Sequence, residues 1–292
     1  MADYSMWLLE YAHVPTQPIS SVMYGQHNQG VRLLAFSYMV LKGGGHVIMV
    51  DVGLDPEQDD VSRRYVKRDN VVNWQPPEVV LAKIGLTPED VDTVFLTHAH
   101  YDHMGNLMAF PNAHFYIQKR EYLDWLWSAS LPREFQSMNM AINPNDLQNA
   151  TTLLLEKQLT LVDGPLQNVL PGINLQPAYD GHTFASQMVI INNASGPGKG
   201  VWVNGGDIAY VRGNLTGVNG DGAYVAVGLA VGNQYNMLAS LDEMLQIAGG
   251  NVERVIVGHE TDNWEIYPTW QTEDGLHVSE LNVAPGDTSF RP

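Results

Sequence analysis

The stretch Thr97-His98-Ala99-His100-Tyr101-Asp102-His103-Met104-Gly105 decides how the rest of the chain is read. It sets four metal-ligating side chains, His98, His100, Asp102 and His103, within six residues. Just before it runs Val91-Asp92-Thr93-Val94-Phe95-Leu96, an apolar segment of strand type, so the ligands are expected on a loop leaving the C-terminal end of a buried strand. Imidazole nitrogens and carboxylate oxygens suit zinc and similar divalent ions, and side chains close in sequence on such a loop can point to two neighbouring metals. A histidine-rich surface turn is the plain alternative, but such a turn seldom follows a buried strand and rarely carries the acid at this offset.

Composition narrows the chemistry. A chain of 292 residues with 45% apolar content can build a sizeable core, as one large domain or two small ones. Its 15 basic and 32 acidic residues give a formal charge of −17, which disfavours nucleic acid as a partner, since a polyanion needs a basic surface. There is no cysteine, so disulfides and thiolate metal sites are excluded and every ligand must be His, Asp or Glu. The start, Met1 to Glu10, lacks a basic segment followed by a long apolar one, and no run approaches membrane-spanning length. A soluble, cytoplasmic protein without a membrane partner is the expectation.

Outward from the histidine loop, Val31 to Leu41 and His46 to Asp51 read as a hairpin joined by a glycine turn. His46 reads as structural, whereas Asp51, at the end of its strand, is positioned to accept a hydrogen bond from a metal-bound histidine. Residues 54 to 75 mix charges of both signs and read as irregular and solvated. Pro77 to Ile84 has helical spacing, and Thr87-Pro88-Glu89-Asp90 has the form of a capped helix start. Ala113 to Gln118 reads as a strand and Lys119 to Trp127 as a helix, while residues 128 to 150 read as a loop insertion able to form a lid. Further on, strands are expected at Leu159 to Val162, Ile173 to Pro177, Gln187 to Asn192, Gly200 to Asn204 and Asn251 to Val257, with an amphipathic helix at Asn236 to Ala248. Three of these strand ends lead into Gly181-His182-Thr183, Gly205-Gly206-Asp207 and Gly258-His259-Glu260. Residues 261 to 292 read as a tail packed on the domain edge, and the whole chain, 1 to 292, as a single domain.

Together His98, His100, Asp102, His103, His182, Asp207 and His259 supply enough ligands for two metals. The set, in this order and spacing, resembles the metallo-β-lactamase superfamily over about Val31 to His259. That resemblance implies an α/β fold, a four-layer αββα sandwich with two divalent ions, zinc first, at one edge of its two sheets. It further implies that His98, His100 and His182 hold one ion, that Asp102, His103 and His259 hold the other, and that Asp207 bridges them. Within the superfamily the chain looks most like the N-acyl homoserine lactonase branch, because Tyr210 follows Asp207 where those enzymes carry a substrate-contacting tyrosine. Asp102 and Tyr210 are then the candidate catalytic residues, acting in the hydrolysis of a small lactone by a hydroxide held between the ions. The sequence departs from relatives at Phe184-Ala185-Ser186, where they often have Pro-Gly-His. A cyclic amide, a heteroaromatic lactone or a thioester stays open as the small-molecule substrate, as does a non-catalytic metal-stabilised binding module. Trp125, Trp127, Phe184 and the 128 to 150 loop are candidate pocket walls, and a homodimer is neither required nor excluded.

Overall fold

The computed structural model describes residues 2 to 292 apart from Ser195 and Pro197. Strands β1 (Tyr4–Pro18), β2 (Val31–Gly43), β3 (His46–Val50), β4 (Thr93–Phe95), β5 (His114–Gln118) and β6 (Leu159–Val162) lie in one sheet. Strands β7 (Leu166–Leu170), β8 (Ile173–Tyr179), β9 (Ala185–Asn193), β10 (Gly200–Asn204) and β11 (Val255–Ile256) form the second. Strands β12 (Thr269–Gln271) and β13 (His277–Asn282) return to the first, giving an eight-stranded order β12-β13-β1-β2-β3-β4-β5-β6 beside a five-stranded β11-β10-β9-β8-β7. From β3 to β6 the pairing is parallel, which requires the long crossovers that carry the helices.

Alternation along the strands explains the layering, because successive side chains point to opposite faces. Met6, Leu8, Met39, Leu41, Ile48 and Val50 turn inward to meet Leu175, Val189, Ile191 and Trp202 of the other sheet. Their neighbours Trp7, Leu9, Tyr38, Val40 and Met49 face the opposite way, onto a core shared with Leu81, Tyr122, Trp125 and Leu147 from helices. On the far side of the smaller sheet, Met188, Ile190 and Val203 pack against Leu241 and Met244 of the helix Gln234–Ile247. Helix, sheet, sheet, helix is thus the order of layers, the αββα sandwich that the resemblance implies. Among the described residues no helix is long and apolar enough to cross a membrane.

Several segments differ from the sequence reading. β1, the longest strand, has apolar residues on both faces, so it carries no clean alternation to mark it. Residues 60 to 69 form a helix where irregular chain is expected, capped by Asp59, whose side chain accepts hydrogen bonds from Val61 N (2.7 Å) and Ser62 N (2.8 Å). The 128 to 150 insertion contains a 3₁₀ turn (Arg133–Asn139) and the start of the helix Pro144–Leu155. The 261 to 292 stretch supplies β12 and β13 to the larger sheet.

Asp146, in the first turn of Pro144–Leu155, is buried with one carboxylate oxygen unpartnered, and burial raises its pKa to about 8. In the unfolded chain it titrates near its ordinary value of 3.8. The folded state therefore holds this proton where the unfolded state has lost it. That stabilisation is complete below about pH 4 and is lost as pH rises through about 8. Asp146→Asn keeps an acceptor for Gln58 Nε2, and its melting temperature should rise relative to the parent between pH 5 and pH 8. A melting difference that stays flat across this range would show that the carboxyl is not protonated in the fold.

Candidate metal centre

Every ligand candidate leaves the end of a strand or the loop beside one, and all of them converge on one edge of the sandwich. The loop after β4 carries His98, His100, Asp102 and His103, the β8–β9 turn carries His182, and the segments after β10 and β11 carry Asp207 and His259. Gly206 allows the close approach of two of these loops: it has φ +54°, and a Cβ there would fall 2.3 Å from Thr97 Oγ1. Gln187 of β9 ties the sheets together at the same edge, donating its backbone N–H to Thr97 O at 2.6 Å.

The side chains separate into two groups whose ligand atoms lie within 4.8 Å of one another: His98, His100, His182 and Asp207, and Asp102, His103, Asp207 and His259. Asp207 belongs to both. Its Oδ2 lies 3.7 Å from His98 Nε2 and 3.5 Å from His182 Nε2, while its Oδ1 lies 3.2 Å from His103 Nε2 and 3.0 Å from His259 Nε2. Asp102 Oδ2 lies 3.7 Å from His103 Nε2 and 3.8 Å from His259 Nε2. All seven residues named from the sequence come together, and Tyr210 lies beside them with its ring stacked on His259 at 5.1 Å.

Outer partners fix the ring orientations. Asp51 stands in the left-handed region (φ 65°), and its Oδ1 accepts from Thr97 N at 2.7 Å. Its Oδ2 accepts from Thr97 Oγ1 and from His103 Nδ1, both at 2.8 Å, as the sequence suggests for this carboxylate. With the hydroxyl proton of Thr97 so committed, His98 Nδ1 donates to Thr97 Oγ1 at 2.9 Å. His182 Nδ1 donates to Leu229 O at 2.9 Å and His259 Nδ1 to Ala35 O at 2.7 Å, because a carbonyl can only accept. These four rings, hydrogen-bonded through Nδ1, therefore turn Nε2 toward the centre. His100 presents Nδ1, 3.2 Å from His182 Nε2.

The centre has donor atoms that the protein leaves without a hydrogen bond. His98 Nε2, His103 Nε2, His259 Nε2 and both oxygens of Asp207 are buried and make no hydrogen bond. Buried polar atoms rarely go unpaired, and a cluster of nitrogen and oxygen lone pairs is what a divalent ion would satisfy. Burial, reinforced by neighbouring imidazoles, holds His98 and His100 well below the usual histidine range, and burial lowers His182. Although burial opposes ionisation of Asp207, His103 and His259 keep its carboxyl well below the usual range. Burial opposes a charge on His103 and His259 too, but Asp207 and Asp102 hold His103 well above the usual histidine range and His259 above it, so a bound ion would displace their Nε2 protons; neutral imidazoles and an ionised carboxylate are the protonation states that coordinate metals.

A cavity of about 360 Å³ opens above the centre, floored by His100, Asp102, His182 and Tyr210. Its walls include Leu34, Phe36, Met138, Met140, Leu229 and Val231, with Arg68 and Asp69 on one side. Trp125, Trp127 and Phe184 are not among the lining residues, contrary to the sequence reading. Trp125 is fully buried, its indole N–H donating to Glu121 Oε1 at 2.8 Å and its ring packed on Phe184, while Trp127 is largely exposed. Two supporting residues escape the sequence reading. Asn214 accepts from Tyr210 N (3.1 Å) and Val211 N (2.9 Å), and nothing in Arg-Gly-Asn-Leu announces it. Glu121 sits on a helix whose aromatic residues draw the attention, although its spacing of four from Trp125 is a usable signal.

A family model described as the metallo-beta-lactamase superfamily matches residues 31–259. A probable metallo-hydrolase of Methanocaldococcus jannaschii is 45% identical over 42 residues, spanning 14% of this chain and 21% of that relative. Among solved structures, an N-acyl homoserine lactone hydrolase with the product N-hexanoyl-L-homoserine at its catalytic metal centre superposes with a TM-score of 0.65 at 18% identity, covering 91% of this chain and 96% of its own. AidC, a dizinc quorum-quenching lactonase in complex with a product, gives 0.63 at 17% identity, with 97% and 96% covered. A probable metal-dependent hydrolase from Staphylococcus aureus gives 0.63 at 18% identity, with 88% and 90% covered. Likenesses at these identities establish a common fold.

Because an ion would be bound by the folded state and not by the unfolded chain, its removal should destabilise the protein. Chelator-treated protein is expected to melt several degrees below zinc-loaded protein, with recovery on adding divalent ions back. Identical melting with and without chelator would mean that the unpartnered atoms hold no ion.

Proposed function

The chain belongs to the metallo-β-lactamase superfamily, and from that premise we propose that it is a dinuclear metal-dependent hydrolase that opens a small lactone. The observation that carries this reading is a single carboxylate, Asp207, whose two oxygens face two ligand groups beside a pocket. His98, His100 and His182 would hold one divalent ion and Asp102, His103 and His259 the other, with Asp207 between them. Zinc suits a donor set of nitrogen and oxygen, and manganese, cobalt or iron could replace it according to cellular supply. Once bound, such ions supply Lewis-acid polarisation of a carbonyl and a nucleophile from water at neutral pH.

The chain's own residues account for the remaining steps. Burial, with Asp207 and Asp102 close by, pushes the Tyr210 phenol well above its ordinary pKa. It therefore stays protonated and can donate a hydrogen bond to the carbonyl oxygen as negative charge develops there. As the water oxygen bonds to the acyl carbon and the ring C–O bond breaks, Asp102 can relay the proton released by that water to the departing alkoxide, leaving a hydroxy acid. Apolar walls from Phe36, Met138 and Leu229 suit the hydrocarbon portion of such a substrate and keep bulk water away. In this reading the 128 to 150 segment is a lid, since Ser137, Met138, Met140 and Ala141 border the cavity. The N-hexanoyl-L-homoserine product held by one structural neighbour favours a lactone over other acyl compounds.

Metal-loaded protein should carry two ions per chain, and Asp207→Ala should carry fewer. A stoichiometry of one in fully loaded parent protein would remove the dinuclear centre. Tyr210→Phe should retain its metal and lose turnover by about 10-fold to 1000-fold, the range for one lost oxyanion donor. Unchanged turnover would reduce the tyrosine to packing. Across a panel of lactones, thioesters, cyclic amides and phosphodiesters, lactones should be hydrolysed by the parent and not by His100→Ala. Hydrolysis of thioesters or phosphodiesters with every lactone inert would overturn the lactone assignment.

A further inference from the structure

We propose that Glu121 is a positioning residue for the group His98, His100 and His182, its buried carboxylate joining the two loops that carry those ligands. The inference rests on the reading of that group as an ion-binding site. Glu121 is fully buried on the helix Lys119–Ser128. Its Oε1 accepts from Ala99 N at 3.0 Å, and Ala99 is the residue between His98 and His100. Its Oε2 accepts from Ala185 N at 2.8 Å, three residues beyond His182. The indole N–H of Trp125 closes the arrangement at 2.8 Å, and the Trp125 ring lies 5.9 Å from that of His100. One acceptor-only group thereby receives N–H donors from both ligand loops and from its own helix. A glutamine could not replace it, because its amide would turn a donor toward one of these N–H groups.

Charge supplies a second argument. Burial pushes the Glu121 carboxyl above the usual range, and its hydrogen-bond donors, all neutral, counter this only in part. Among the described residues no Lys or Arg side chain is paired with Glu121, Asp51, Asp102 or Asp207. With no Lys or Arg beside it, a charge on Glu121 would be balanced by bound ions through the loops rather than by contact, and outer residues of this kind commonly change metal affinity or activity by about 10-fold to 100-fold.

The test follows zinc release from loaded protein to a chromogenic chelator, for the parent, Glu121→Gln and Trp125→Phe, together with melting of the metal-free forms. In Glu121→Gln, one of two ions should leave about 10-fold to 100-fold faster and the other at the parent rate. Trp125→Phe, which removes one donor and keeps the carboxylate, should accelerate the same phase by less. Should Glu121→Gln fail to fold, Trp125→Phe decides alone. Release at the parent rate in the folded variants, or equal acceleration of both ions accompanied by a lower melting temperature of the metal-free protein, would overturn the proposal. A parent that retains no zinc would remove this inference and the proposed function together. Selective release from a protein that opens no lactone would remove the proposed function alone.

Discussion

An ionised carboxylate at 1% exposure, Asp207, lies at the centre of the molecule's design. Taking a charge out of water costs several kcal/mol unless opposite charge and hydrogen bonds replace the lost hydration. Here the replacement comes from imidazoles on three other loops, and those imidazoles are useful only while their rings are held at fixed angles. Asp51, Thr97, Leu229 and Ala35 do that holding, and each belongs to a different part of the chain. The sandwich is the frame that brings these parts to one edge.

The sequence carries the centre more openly than it carries the scaffold. His-x-His-x-Asp-His is dense in chemistry and short in span, so it is visible without knowing what surrounds it. His182, Asp207 and His259 are visible because glycines precede them at the ends of apolar runs. β1 is hidden for the opposite reason: Tyr4 to Val14 is buried on both faces between a helix layer and a sheet, so its pattern has no polar side. The helix Asp60–Asp69 is hidden by its charge, since a strongly polar helix and a solvated loop have similar composition. Residues that act through hydrogen bonds to the backbone, such as Glu121 and Asn214, leave almost no trace, because the N–H groups they accept from carry no side-chain identity. The pocket walls follow the same rule. Met138 and Met140 reach the cavity from a segment whose path no local pattern determines, whereas the expected aromatic wall, Trp125, is occupied with Glu121.

The division of labour between the two sheets is also physical. The larger sheet supplies the tight loop with consecutive ligands, since a parallel strand must end in a crossover and that crossover is free to bend over the edge. The smaller sheet supplies ligands singly, one from each of three loops. Loss of contact between the sheets would therefore separate one set from the other, and the inter-sheet core of Met39, Leu41, Val189 and Ile191 supports the centre without touching it.

The pairing of β1 with β13 has a consequence for the order in which the molecule can be assembled. Met6 faces Asn282 and Leu9 faces Val278, so this part of one edge of β1 is paired by residues that lie far along the chain. During synthesis β1 can join β2 at once, but its other edge stays open until β13 is available. An open strand edge flanked by apolar faces invites pairing with other chains, and contacts this distant in sequence form slowly. The ligands, all lying between β1 and β13, would by then be exposed to metal. β13 thus acts as a closing seam, and chains interrupted before Asn282 would carry the ligands on a scaffold prone to self-association.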